Sequence, residues 1–159
     1  PVSSEMCIRD RLPTICVRPG KPNLAASGFF SGIIREPLNG KEAILPVDTD
    51  VRHWHATPRS AAGFLIHAAE IDTKKLNNRI TLNMPGLSAT VQEQIDALGR
   101  VAGNDAVKLI KHQPDPVIQK IVSGWARDFD TQRSIDLGFK AENNFDDIIK
   151  IYIEDDLNK

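Results

Sequence analysis

Residues 51–59, VRHWHATPR, place Arg52, His53, His55 and Arg59 around Trp54. A guanidinium can hold a carboxylate through two parallel N–H···O bonds, and equally often ends in a surface ion pair. The pair His53-x-His55 lacks a nearby cysteine or a placed carboxylate, so no metal site is assigned to it. Upstream, RLPTICVRPGKPN (Arg11 to Asn23) joins a short β-rich apolar run, Leu12 to Val17, to Arg18-Pro19-Gly20, which must turn. A buried parallel strand that ends this way brings its C-terminal end to a ligand. Two signatures are missing from the sequence. The single tyrosine, Tyr152, is followed four positions later by Asp156, so no Tyr-x-x-x-Lys pair exists. Gly28-x-x-x-Gly32 falls in a helical stretch, without the strand and turn that a phosphate-binding glycine loop requires.

These groups need a scaffold. The 159 residues suit one domain or slightly more, and 41% apolar content supports a real core. A formal net charge of −1 gives no bulk attraction to nucleic acid or to an anionic membrane. No apolar run approaches the ~20 residues that span a bilayer. Cys7 and Cys16 suggest no disulfide framework, and Cys16 reads as a small buried hydrophobe. A reducing cytoplasm is the default expectation. Ser3 to Arg11, SSEMCIRDR, resembles the translated read-through of a sequencing adapter. Residues 1–10 are therefore expected to be a non-native or disordered leader.

From residue 11 the pattern is α/β. Leu12 to Val17 is expected as a strand. Phe29, Phe30, Ile33 and Ile34 recur at helical spacing between Gly28 and Leu38, before the turn Asn39-Gly40. Glu42 to Val47 reads as a short strand. Val51 to Thr57 reads as extended, with His53 and His55 on one face and Arg52, Trp54 and Ala56 on the other. Thr57-Pro58 starts a helix to about Ile71. Arg79 to Met84 is a strand, and Ser88 opens a helix to about Ala102. A strand over Val107 to Lys111 precedes helices from Asp115-Pro116, from about Asp130 to Leu137, and from Phe145 to Ile153. His67 is expected as a hydrogen-bonded packing residue, Tyr152 as a packing residue, and His112 carries no signal.

ICVRPGKPN, SGFFSGIIREPL, VRHWHATPRSAAGFLIHAAE and LNMPGLSATVQEQI resemble, in that order, the C-terminal half of extended short-chain dehydrogenases/reductases, the NAD-dependent epimerase/dehydratase superfamily. The resemblance runs from Arg11 to about Leu157. It implies the last strands of a Rossmann-type parallel sheet (about 12–17 and 79–84, with the helix at 58–71). A small α/β substrate-binding part (about 24–57 and 86–159) would complete the chain. It also implies an NAD-dependent oxidoreductase parent that oxidises a small sugar acid, a 2-hydroxy acid, to the 2-keto acid. Proton transfer in that family belongs to a Tyr-x-x-x-Lys pair helped by a serine, all absent from this chain, so the chain alone is expected to be inactive.

The resemblance places Pro19, Gly20 and Lys21 at the nicotinamide end of the cofactor. Asn23 and Ser27 are candidates for hydrogen bonds to substrate. Arg35, Arg52 and Arg59 are candidates for clamping a four-carbon sugar acid, with His53 and His55 in the same cleft. Two other readings stay open: a fragment of a nucleotide-sugar epimerase or dehydratase, and a stand-alone non-catalytic binding domain. A homodimer is expected for the parent, and neither nucleic acid nor membrane as a partner. Expressed alone, the chain is expected to expose an unpaired sheet edge and apolar helix faces. It is also expected to bind NAD negligibly, since phosphate capture belongs to a glycine turn it lacks.

Overall fold

The computed structural model describes residues 9–21, 25–77 and 79–157. In chain order its elements are β1 (Arg9–Arg11), β2 (Thr14–Ile15), α1 (Gly28–Leu38), β3 (Ala43–Leu45), β4 (Arg52–Ala56) and α2 (Pro58–Glu70). After a 3-10 turn at Thr73–Leu76 come β5 (Thr81–Asn83), β6 (Leu87–Thr90), α3 (Val91–Ala102) and α4 (Asn104–Val107). The chain continues through β7 (Ile110–His112), α5 (Pro116–Ser123), α6 (Gln132–Asp136) and α7 (Phe145–Tyr152), and ends in a π-helical turn at Ile153–Leu157.

The strands form three small sheets. β1 and β5 pair in parallel, with Arg9 opposite Thr81 and Arg11 opposite Asn83. β4 is the centre of the second sheet, parallel to β2 and antiparallel to β6. β3 and β7 form a third, parallel pair. The α/β expectation therefore holds, and the bounds of α1 match its apolar spacing residue for residue.

Strand β4 separates two cores, because successive side chains of a strand point to opposite faces. His53 and His55 face the larger core, where Phe30 and Ile34 of α1, Leu98 of α3 and Ile148 of α7 are fully buried. Ala56 faces the smaller core, with Phe64 and Ala68 of α2, Leu82 of β5, Met84 and Phe139. Arg133 of α6 brackets this smaller unit. Its guanidinium donates to the carbonyls of Leu76 (2.6 Å), Arg79 (2.7 Å) and Thr81 (3.4 Å). Beside it, Ser134 Oγ donates to Asn83 O at 2.6 Å.

Four expectations need correction. The run Leu12 to Val17 is not one strand. The chain breaks at Leu12-Pro13, where the proline has no N–H for a ladder. Arg9–Arg11 then serves the sheet with β5, and Thr14–Ile15 serves the sheet with β4. Residues 9 and 10, assigned from sequence to the leader, thus lie in β1; residues 1–8 lie outside the described residues. Ser88 does not open a helix but sits in β6, opposite Trp54. The start of α3 is set two residues later by a capping box: Thr90 Oγ1 accepts from Glu93 N, and the Glu93 carboxylate accepts from Thr90 N at 2.6 Å. Val107 belongs to the helical turn α4, and the following strand runs Ile110–His112.

Gly86, between β5 and β6, is a point of close approach. A Cβ there would come within 2.5 Å of Trp54 Nε1, 2.8 Å of His55 O and 2.9 Å of Pro13 Cγ. Only a glycine lets the chain cross β4 at this distance.

Candidate functional site

The turn after β2 and the first two turns of α1 enclose a small polar recess of about 80 Å3, lined by Arg18, Pro19, Lys21, Gly28, Ser31 and Arg35. The residues that shape it are held from α1. Ser31 and Arg35, four apart, lie on one face of the helix and are both buried. Ser31 Oγ accepts the Arg18 backbone N–H at 3.1 Å, and Arg35 Nη1 donates to the Arg18 carbonyl at 2.9 Å. The second arm of Arg35 is taken by Glu36 Oε1 at 2.6 Å. Next to the recess the Cys16 thiol donates to the Phe30 carbonyl, and burial pushes its pKa up to about 12, so it is an inert packing group. Pro19, Gly20 and Lys21 are exposed at its rim. Gly20 has φ +88° and open space where a side chain would stand, leaving its backbone free to be approached by a flat group.

Ser27 is the N-cap of α1, but its side chain makes no capping hydrogen bond and the first turn carries no acidic residue. Asn23 lies outside the described residues.

The remaining candidates sit elsewhere and are occupied. Arg52 donates to Ser88 O at 3.0 Å and pairs with Glu93 at 3.2 Å. Arg59 stands at the start of α2, half-exposed, and forks onto Asp155 (2.7 Å) and Glu154 (3.0 Å). His53 Nε2 lies 2.6 Å from Thr14 Oγ1, and its ring stacks on Phe30 with centroids 4.9 Å apart. His55 is wholly buried, 3.1 Å from the Gln94 side-chain nitrogen and edge-on to Phe145. Burial lowers both imidazole pKa values, His55 to about 3, so both rings are neutral packing groups at neutral pH. The structure thus does not bring Arg35, Arg52 and Arg59 together as one clamp. His67 and Tyr152 behave as packing residues: His67 Nε2 is 2.8 Å from Leu137 O, and Tyr152 lies in the larger core.

A carboxylate that sequence reading missed braces Thr57, the N-cap of α2. Glu142 accepts from Thr57 Oγ1, from Thr57 N at 3.3 Å and from Ser60 Oγ at 2.7 Å. Its distance along the chain from Thr57 left no local signal. A concavity of about 870 Å3 is an open apolar groove between Phe29, Ile44, Pro46, Ile118 and Ile121. Its acidic residue, Asp115, is engaged by the N–H groups of Val117 and Ile118. Among the described residues no group of three metal-ligating side chains is assembled, and no helix is long and apolar enough to cross a membrane.

No family model matches the chain. It is 42% identical over 147 residues to the D-erythronate dehydrogenase of Haemophilus influenzae, covering 92% of this chain and 47% of that protein. It is 44% identical over 145 residues to the D-erythronate dehydrogenase of Cupriavidus necator, covering 91% and 45%. The chain spans about half the length of the curated relatives it matches. Among solved structures, the nucleoside-diphosphate-sugar epimerase from Agrobacterium tumefaciens is 60% identical with a TM-score of 0.93 over 95% of this chain and 44% of that one. L-threonine 3-dehydrogenase from Trypanosoma brucei is 20% identical with a TM-score of 0.77 over 91% and 44%, a likeness of fold alone.

Proposed function

We propose that this chain is the substrate-binding half of an NAD-dependent dehydrogenase that oxidises a small sugar acid such as D-erythronate, a 2-hydroxy acid, to the 2-keto acid. The observation that carries this is the 42–44% identity, over nearly the whole chain, to two D-erythronate dehydrogenases. The site is compatible with it. The Pro19-Gly20 turn offers an exposed, unobstructed backbone surface for the nicotinamide end of a cofactor, and the cationic recess lies directly beside it. A nicotinamide bound there would supply the acceptor for a hydride from the substrate carbon. The chain's own contribution is to present the backbone of residues 19–20 to the ring and to hold the acid. The catalytic tyrosine and lysine, and the glycine turn for the cofactor's phosphates, would come from the other half of the protein.

The test is a comparison of the full-length protein with this chain alone, each given NAD and D-erythronate, following appearance of reduced nicotinamide. Turnover by the full-length protein and none by the chain alone is the expected result. Failure of the full-length protein to reduce NAD with any four-carbon 2-hydroxy acid would overturn the proposal. One observation favours a second activity, epimerisation of a nucleotide sugar: the 60% identity to the protein described as a nucleoside-diphosphate-sugar epimerase. Interconversion of a UDP-sugar by the same preparation, with no net NAD reduction, would decide for it.

A further inference from the structure

We infer that Arg18, not Arg35, Arg52 or Arg59, is the arginine that receives the substrate carboxylate. This rests on the sugar-acid reading above and names the residue that would give it specificity. Three of the four arginines are already engaged by carboxylates of the chain: Arg35 by Glu36, Arg52 by Glu93, and Arg59 by Glu154 and Asp155. To accept a substrate, each would first have to give up an ion pair. Arg18 has no carboxylate partner among the described residues, and it lines the recess together with Lys21. Its backbone, by contrast, is fixed on both sides, with the N–H on Ser31 and the carbonyl on Arg35. Both anchors are buried on α1, Ser31 at 2% and Arg35 at 6% exposure. A pinned main chain whose guanidinium has no carboxylate partner among the described residues suits preorganised anion binding, since little backbone ordering remains for the ligand to supply.

The recess is small, about 80 Å3, which suits one carboxylate and its neighbouring hydroxyl carbon. Arg35 and Ser31 are positioning residues here. They hold Arg18 and leave the ligand to it and to Lys21.

The experiment uses the full-length protein, wild type and the variants Arg18→Gln and Arg18→Lys, titrated calorimetrically with D-glycerate, glycerol and inorganic phosphate. Wild type should bind glycerate saturably and glycerol not at all. Arg18→Gln should weaken glycerate by about 10- to 100-fold, the range for a charge-assisted pair, and Arg18→Lys by less. Equal glycerate affinity in wild type and Arg18→Gln, or no glycerate binding by wild type, would overturn the assignment. So would tighter binding of phosphate than of glycerate. Turnover separates this from the dehydrogenase proposal. If Arg18-dependent glycerate binding persists but no sugar acid is oxidised, the dehydrogenase proposal alone fails. If oxidation proceeds with an unchanged KM in Arg18→Gln, the Arg18 assignment alone fails.

Discussion

On its histidine side β4 meets α1, α3 and α7; on its other side it meets α2 and the pair β1–β5. The first side is packed around β4, where the rings of Phe30, His53 and His55 contact one another and Phe145 meets His55, and it opens farther out at the groove of Phe29, Ile44, Ile118 and Ile121. The second is packed on one face only. Phe64 and Ala68 of α2 are buried, yet Leu65 and Ile66 beside them are 53% and 61% exposed, and Leu12 and Ile80 near the two-stranded sheet are 41% and 36% exposed. A two-stranded sheet is marginal by itself in water. The difference teaches that stability in this chain is unevenly shared. The histidine side carries the larger core, and both sides leave apolar surface of a kind that normally meets more protein, at Ile44, Val117 and Ile121 on the first and at Leu65 and Ile66 on the second.

The contrast can be broken by truncating each side. Ile148→Ala, in the closed core, should cost about 4 kcal/mol, the range for deleting a buried branched side chain. Ile66→Ala, on the open face of α2, should cost less than about 0.5 kcal/mol. Urea unfolding measures both, and comparable losses at the two positions would remove the distinction. The boundary between the sides gives the next effect. Gly86→Ala forces a methyl against Trp54, the His55 carbonyl and Pro13, two of them on β4 itself, and should cost about 3 kcal/mol. An unfolding midpoint equal to wild type would show that the crossing is looser than its distances state.

An effect of intermediate size concerns acid, and it belongs to the histidine side alone. His55 is held neutral, its pKa lowered from 6.5 to about 3 by burial first and by His53 second. Its depressed pKa means the unfolded chain binds the proton first. This contribution to stability is therefore complete above about pH 6.5 and falls as pH drops toward 3. By pH 5 the loss from His55 should be about 2 kcal/mol. Thermal unfolding followed from pH 7 to 5 should show it, and His55→Gln should flatten that slope. A slope that His55→Gln leaves unchanged would assign the acid sensitivity to other groups.

Local signals made much of this fold readable. The limits of α1, the Thr57-Pro58 start of α2 and the two-faced pattern of β4 all follow from spacing or capping chemistry within a few residues. What was hidden depends on partners far along the chain. Ser88 looks like a cap, but its pairing with Trp54 makes it a strand residue, and the true cap is Thr90. The arginines are the plainest case. Sequence shows Arg35 within a helical stretch and Arg52 and Arg59 flanking His53 and His55. It does not show that each has found an acid: Glu36 next door, Glu93 on another element, Asp155 nearly a hundred residues away. For the same reason Arg18, a strand-ending residue in the sequence, stands out only once its neighbours are known to be occupied elsewhere.

Arg133 carries a consequence of a different kind. It holds three backbone carbonyls and no acid among the described residues, so its grip has no partner to lose by protonation and no opposite charge for dissolved ions to shield. The bracket around residues 76–81 would therefore outlast the carboxylate-dependent fastenings at Arg59 and Arg100 in acid or brine. Under such conditions the less fully packed side of the molecule keeps its most durable tie, and its ends would come loose before its middle.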